Sequence, residues 1–234
     1  MNKVFEDDTA TIYHNNYIDI IKELKYDLVI IDPPYNIGHK YKDKSFNDNK
    51  SDEEYRALFK PLKNKKVITI NYAEETIKYI VPVLEYPSKI LTWCYNSNIP
   101  RQSRMIAHFN CVPNLKKVII PYKDPKDKRI AKRIEAGHKG ASCYDWFSDI
   151  NLVKGHTKEK VKGFTNQMPV KLLERLIIMN TEPGDIILDC FFGSGSLYIA
   201  CKNTGRRCIG IEISKEHLDL AINRIEKDIN YLLN

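Results

Sequence analysis

Asp185-Ile186-Ile187-Leu188-Asp189-Cys190-Phe191-Phe192-Gly193-Ser194-Gly195-Ser196 is the stretch on which the fold turns. An apolar run of strand length passes into a Gly-x-Gly turn, and the residues beyond it have helix character. Such a strand–turn–helix lets ligand atoms approach the backbone beside a helix N-terminus. A second apolar run, Cys208-Ile209-Gly210-Ile211, ends in Glu212, nineteen residues past Gly193. A carboxylate there can accept hydrogen bonds from both hydroxyls of a ribose. Position 198, where a dinucleotide fingerprint has its third glycine, is Tyr198. That bulk argues against a tightly packed dinucleotide and for a single nucleoside.

On the N-terminal side, short Ile- and Val-rich runs recur at Thr11–His14, Asp27–Asp32, Lys66–Asn71, Lys89–Tyr95 and Lys117–Tyr122, and Arg207–Ile213 follows the glycine turn. They are apolar on both faces, as buried parallel strands are. Helical segments lie between them. One starts at Ser51, with Glu54 at capping-box spacing. Another has Pro169 in its first turn and carries Leu172, Leu173, Leu176 and Ile177. The last places Leu218, Ile222, Ile225, Ile229 and Leu232 on one stripe. The alternation predicts an α/β fold, a Rossmann-like, mainly parallel sheet with helices on both faces, in a single domain over residues 1–234. Residues 124–163 break the rhythm and read as a small basic insertion. It has a helix bearing Lys126, Lys128, Arg129, Lys132 and Arg133, with Ile130 and Ile134 facing inward, then Gly137, Gly140 and the aromatic Tyr144, Trp146 and Phe147.

The chain has 234 residues, 43% hydrophobic and 29% charged, enough for a real core. No apolar run approaches the roughly 18–20 residues that span a bilayer, which excludes a transmembrane helix. The N-terminus turns acidic at Glu6-Asp7-Asp8, where a signal peptide needs an apolar stretch. Six widely spaced cysteines form no C-x-x-C pair and read as thiols of a reducing cytoplasm. The net charge of +7 is unevenly placed. Between Tyr86 and Lys123 there is no acid, and the 124–163 segment has ten Lys and Arg against six acids. A localised surplus suits a polyanion partner, and a solvated Lys-rich surface is the plain alternative.

A second turn carries chemistry: Asp27-Leu28-Val29-Ile30-Ile31-Asp32-Pro33-Pro34-Tyr35-Asn36. The strand delivers Asp32 to the carboxyl edge of the sheet, where open α/β sheets bind ligands. Two prolines fix the backbone and remove competing N–H groups. Tyr35 offers an aromatic face to a planar base. The set suits an exocyclic amino group of a nucleobase, whose nitrogen lone pair is delocalised into the ring. Acceptors at Asp32 and the Pro33 carbonyl would hold its two N–H protons and favour a pyramidal, nucleophilic nitrogen.

Asp32-Pro33-Pro34-Tyr35 with Phe191-x-Gly193-x-Gly195 resembles the amino-directed DNA methyltransferases that use S-adenosylmethionine. The tetrapeptide precedes the glycine turn with a basic segment between, which resembles the beta-class order. The resemblance spans about Thr11 to Ile225. It implies catalysis by Asp32, Pro33, Pro34 and Tyr35 on a base flipped from double-stranded DNA, with adenine N6 as the methylated atom. It further implies cofactor contacts by Asn16, Asp32, Gln167, Asp189, Phe191, Gly193, Ser194, Gly195 and Glu212. Residues 124–163 occupy the place of the target-recognition region, and Arg101, Arg104, Lys126, Lys128, Arg129, Lys132 and Arg133 are the candidate DNA contacts. No metal is called for, and the six histidines show no ligand spacing. A cytoplasmic enzyme is implied, and both a homodimer and a cognate restriction endonuclease are compatible with it.

Phe164-Thr165-Asn166-Gln167-Met168-Pro169 stands where the family often has His-Pro-Thr-Gln-Lys-Pro. Asn16 stands where it often has Asp, and its amide oxygen can still accept from an adenine amino group. Cytosine carbon-5 methylation needs a Pro-Cys nucleophile, and the chain has no such pair. Cytosine N4 shares the mechanism, but those enzymes tend to carry Ser in place of Asp32. A non-catalytic DNA-binding relic is a third reading, motivated by Phe164 and Met168. The polar segment 38–51, with His39, Lys40, Lys42, Lys44, Asn47 and Asn49, reads either as a loop that closes over the flipped base or as a plain solvated loop.

Overall fold

Leu28–Ile31 is buried throughout, with Leu28 and Ile30 in one apolar cluster and Val29 and Ile31 in another. Strand side chains alternate sides, so a run apolar at every position needs packing over both faces of its sheet. The computed structural model describes residues 1–36, 49–97 and 100–233, with side chains through Asp228. The strands are β1 (Lys3–Glu6), β2 (Ala10–His14), β3 (Leu28–Ile31), β4 (Val67–Asn71), β5 (Lys89–Cys94), β6 (Ser103–Phe109), β7 (Ile119–Ile120), β8 (Ala141–Ser142), β9 (Trp146–Phe147), β10 (Ile186–Asp189) and β11 (Arg207–Glu212). The helices are α1 (Tyr17–Ile20), α2 (Asp52–Ala57), α3 (Ala73–Glu75), α4 (Val81–Leu84), α5 (Lys128–Glu135), α6 (Val170–Asn180), α7 (Ser196–Thr204) and α8 (Lys215–Leu233).

The main sheet has the order β1-β2-β11-β10-β3-β4-β6-β5-β9. From β2 to β4 neighbouring strands are parallel, the Rossmann-like half of the sheet. β6 runs antiparallel between β4 and β5, and β1 antiparallel to β2. One face packs Leu172, Leu176 and Ile177 of α6, Leu197 of α7 and Leu218 and Ile225 of α8. The other packs Tyr55, Phe59, Leu62, Ile80 and Leu84. Ser51 and Glu54 form the expected capping box at the start of α2, and Pro169 stands at the N-cap of α6.

Three expectations change. The Lys117–Tyr122 strand shrinks to β7, which pairs only with β8 outside the main sheet. The Asn114 side chain accepts from the Lys116 amide and starts a 3-10 turn in its place. β6 was hidden by Arg104 and His108, polar residues that interrupt its apolar pattern although both are buried. Third, Ile134 does not face inward: it is 43% exposed, and α5 contains no buried residue.

Residues 124–163 do not all stand apart from the core. β9 pairs with β5, Phe147 and Ile150 are buried in the main core, and the Trp93 indole donates to the Ile150 carbonyl at 2.7 Å. Asp149 receives both terminal nitrogens of the Arg175 guanidinium at 2.7 Å each, tying this segment to α6. The basic run also looks different once folded. Lys89 pairs with Asp145, Arg101 with Glu75, Arg104 with Asp32 and Lys117 with Glu182, so acids from elsewhere meet most of the charge in the acid-free stretch.

Candidate active site

β10 and β3 are neighbours, yet β10 crosses over through α7 to β11 on one side and β3 through α2 to β4 on the other. This reversal opens a crevice beyond the carboxyl ends of the two strands, where doubly wound sheets take their ligands. β10 ends in Asp189, Asp32 follows β3, and β11 ends in Glu212. All three carboxyls line one cavity of about 300 Å³, together with Tyr35, Phe191 and Gly193. Asn16, Pro33, Pro34 and Ser194 also line it, so the two turns singled out in the sequence meet in one place.

The glycine turn is held from several directions. Gly193 and Gly195 have φ of +54° and +72°, a region costly for any side chain with a Cβ. The Gly193 amide donates to Glu212 at 2.8 Å, and the Ser194 carbonyl accepts from Arg224 of α8 at 3.0 Å. The Ser196 hydroxyl donates to the Met168 carbonyl at 2.8 Å. Phe192 lies beneath the turn, so close to Gly210 that a Cβ there would stand 2.4 Å from its ring. Tyr198, in place of a third glycine, is buried and donates its hydroxyl to Asp7 at 2.7 Å, fastening α7 to the β1–β2 turn.

Glu212 also accepts from the Ser214 amide at 2.9 Å, and burial raises its carboxyl above the usual range. Asp189 accepts from the Phe191 amide at 2.9 Å. Burial first, and the negative neighbours Glu212 and Asp32 after it, push Asp189 up to about 8. A cavity walled by three carboxyls, with Glu212 and Asp32 both acting on Asp189, favours a ligand that brings positive charge and ribose hydroxyls. The residues therefore fit an adenosyl group with a cationic amino-acid end.

Asp32 accepts from the Tyr35 hydroxyl at 2.7 Å and from Arg104 at 3.3 Å. Tyr35 is buried, its ring 5.3 Å from that of Tyr72. The Pro34 carbonyl accepts from the Tyr55 hydroxyl of α2, a tie that the sequence does not announce, since neither proline carbonyl was expected to have such a partner. Asn16 caps α1 through its side-chain oxygen, which accepts from the Ile18 amide at 3.2 Å.

Some expected site residues lie elsewhere. Gln167 is buried behind the cavity wall, where it accepts from the Val161 amide at 2.8 Å and donates to the Glu159 carbonyl at 2.7 Å. Its neighbours Asn166 and Met168 line the cavity in its stead. Arg104 is no surface phosphate contact: its side chain is 3% exposed and turned to Asp32, because its place on β6 directs it into the sheet edge. Arg101 is half exposed, bound to Glu75 at 2.7 Å and stacked over Tyr72 at 4.5 Å. Lys126, Lys128, Arg129, Lys132 and Arg133 are exposed on and beside α5. The segment read as a closing or a solvated loop falls largely on residues 37–48, outside those described.

Phe164 and His217 were not expected at the site. Their rings lie 4.8 Å apart and both line the cavity. A signal existed for Phe164, which stands where the family pattern has His; for His217 the sequence offers none. Among the described residues no group of three His, Cys, Asp or Glu is placed to hold a metal ion, and no helix is long and apolar enough to cross a membrane.

The profile of a family described as DNA methylase matches residues 26–223. The type II methyltransferase M.HpaI of Haemophilus parainfluenzae is 30% identical over 92% of this chain and 74% of its own length. The DNA adenine methyltransferase YhdJ of Escherichia coli (strain K12) is 24% identical over 97% of this chain and 86% of its own. Among solved structures, the M1.HpyAVI–SAM complex has a TM-score of 0.58 and 27% identity over 92% of this chain and 98% of that one. The cytosine-N4-specific PvuII DNA methyltransferase shares the fold, with a TM-score of 0.66 and 16% identity over 95% of this chain and 88% of that one.

Proposed function

The chain belongs to the DNA methylase family of N6 and N4 methyltransferases, and from that premise we propose that it methylates the N6 amino group of adenine in double-stranded DNA. Its methyl donor is S-adenosylmethionine. The observation that carries the choice of base is Asp32, an Asp and not a Ser at the head of the Pro-Pro turn, set in the cavity shared with Asp189 and Glu212. The family resemblance associates Asp here with adenine, and the name of the E. coli relative agrees with it.

The donor supplies a methyl group already activated on a sulfonium, so the protein's task is to position, desolvate and manage protons. Glu212 offers acceptors to the ribose hydroxyls and Asp189 to the cationic amino group. Phe191, Gly193 and Ser194 form the wall against which the ligand lies, with Asn16 at the adenine. Asp32 and the Pro33 carbonyl accept the two N–H protons of the extruded adenine and weaken delocalisation of its lone pair into the ring. Methyl transfer would form the N–C bond as the S–C bond breaks, the donor's sulfur leaving as a neutral thioether, and the amino nitrogen would then release its extra proton to solvent. Extrusion of the base costs a few kcal/mol. Exposed Lys128, Arg129, Lys132 and Arg133 on α5, within the proposed target-recognition region 124–163, hold the phosphates.

The test is incubation of the protein with a labelled donor and a pool of duplex DNA. Label in N6-methyladenine is expected. Label in N4-methylcytosine overturns the choice of base, and DNA binding without any label overturns the enzyme. Asp32→Ala should keep donor binding while transfer is lost.

A further inference from the structure

We infer that Arg104 is a positioning residue for this reaction, holding Asp32 in place and in its charged form beneath the target amino group. The inference rests on the role proposed for Asp32. Arg104 arrives from β6, seventy-two positions away in sequence, and donates from Nη1 to Asp32 Oδ1 at 3.3 Å. Its guanidinium sits among aromatic rings, 5.0 Å from the centroid of Tyr35, 5.5 Å from Tyr72 and 5.6 Å from Trp93. A planar, weakly hydrated cation is suited to such faces, where an ammonium is less so.

Stability is a poor reason for this arginine. Its Nε has no hydrogen-bond partner among the described residues, and a buried donor left unpaired weakens a fold. What the guanidinium does provide is a fixed positive charge that keeps its proton at any working pH. The charged and titratable groups facing Asp32 are Arg104 from β6, Tyr35 from its own turn and Asp189 from β10. Tyr72 and Tyr95, beyond β4 and β5, border the guanidinium rather than the carboxyl. Burial favours the protonated acid, whereas Arg104 and the Tyr35 hydroxyl favour the carboxylate. Both hydrogen bonds fall on Oδ1, and Oδ2 is the oxygen assigned to the target N–H. A protonated Asp32 would present a donor there and repel the amino group it has to receive.

The balance leaves Asp32 at about 6. It is then roughly nine-tenths ionised at pH 7. Removing Arg104 takes away an influence that lowers this value, so the midpoint must move upward.

The experiment is a carbon-13 NMR titration of carboxyl-labelled protein, with Asp32 assigned through Asp32→Asn. The midpoint is expected near 6 in the parent and about one unit or more higher in Arg104→Met. Arg104→Lys, which keeps the charge, should restore most of the difference. In assays, Arg104→Met should lower kcat at pH 7 while KM for DNA changes by less than about threefold, and kcat should recover as pH rises. Combined with Asp32→Asn, it should cause no further loss. An unmoved midpoint in an Arg104→Met protein that still binds the donor overturns the proposal. So does a loss confined to DNA affinity and its salt dependence, which would make Arg104 a phosphate contact. The titration reads Asp32 whether or not methyl transfer occurs, so absent transfer counts against the functional reading and an unmoved midpoint against the role of Arg104.

Discussion

Glu212 Oε2 accepts the backbone N–H of Gly193 at 2.8 Å, joining the end of β11 to the turn that follows β10. One carboxylate thus shapes the glycine turn and also faces the cavity into which that turn points. Since its other oxygen holds the Ser214 amide, removing it orphans two backbone donors. Each such loss costs about 1–3 kcal/mol. Glu212→Ala should therefore lower both the unfolding midpoint and donor affinity. Glu212→Gln, whose single acceptor oxygen can hold only one of the two amides, should lose less stability than Glu212→Ala while weakening donor binding about tenfold or more. Denaturant unfolding and calorimetry would separate the two effects; equal losses in both variants would argue against a ribose contact.

Asp189, pushed up to about 8, holds its proton at pH 7 in the absence of ligand. A cationic amino group beside it favours the carboxylate, so donor binding at pH 7 should release close to one proton. Affinity should rise with pH up to about 8 and then level off. Calorimetry in two buffers of different ionisation enthalpy reads the proton directly, and Asp189→Asn should abolish the release. The unliganded fold obeys the opposite trend. Its raised carboxyl binds a proton that the unfolded chain, with a value near 3.8, gives up, so this group makes stability fall as pH climbs from about 4 to about 8.

The cations of α5 are exposed, and Asp127 caps the helix through the Arg129 and Ile130 amides, so they can be neutralised without loss of the fold. Replacing Lys128, Arg129, Lys132 and Arg133 by Gln should flatten the salt dependence of DNA binding by about 0.9 in log–log slope for each phosphate no longer neutralised. Arg101→Gln should have a smaller effect, because Glu75 already engages that side chain. Fluorescence anisotropy at several salt concentrations would show an unchanged slope if α5 does not meet DNA.

Gly210→Ala tests the packing under the site. Its Cβ would meet three atoms of the Phe192 ring at 2.4–2.7 Å, inside a strand that cannot shift without moving Glu212. Overpacking of this kind typically costs about 1–3 kcal/mol. Donor affinity should fall as well, since Phe192 also supports Gly195. Full stability in the variant would show that the ring moves aside.

Both chemical turns were legible because their signals are local. A buried strand running into Gly193-Ser194-Gly195 needs left-handed backbone that glycine adopts without strain, and Pro33-Pro34 stiffens the chain wherever it occurs. Glu212 was legible for a related reason, since the βαβ unit fixes how far the next strand end lies from the glycines. β6 was not, because Arg104 and His108 count as polar in any periodicity and are buried only through partners supplied by distant segments.

Arg104 marks the boundary most clearly. By composition it belonged to an acid-free basic stretch, and a DNA phosphate was the natural partner. In the fold it faces Asp32, and Lys89, Arg101 and Lys117 likewise find acids far away in the chain. Gln167 shows the same limit on a smaller scale, its amide spent on the 159–161 backbone rather than on the cavity. Residue order is enough to set the alternation of strand and helix, the two turns and the class of ligand, because these depend on backbone conformations that neighbouring residues impose. Which charges remain free to meet DNA depends on pairings across tens of residues, since Coulomb attraction and burial act between groups close in space, whatever their separation along the chain.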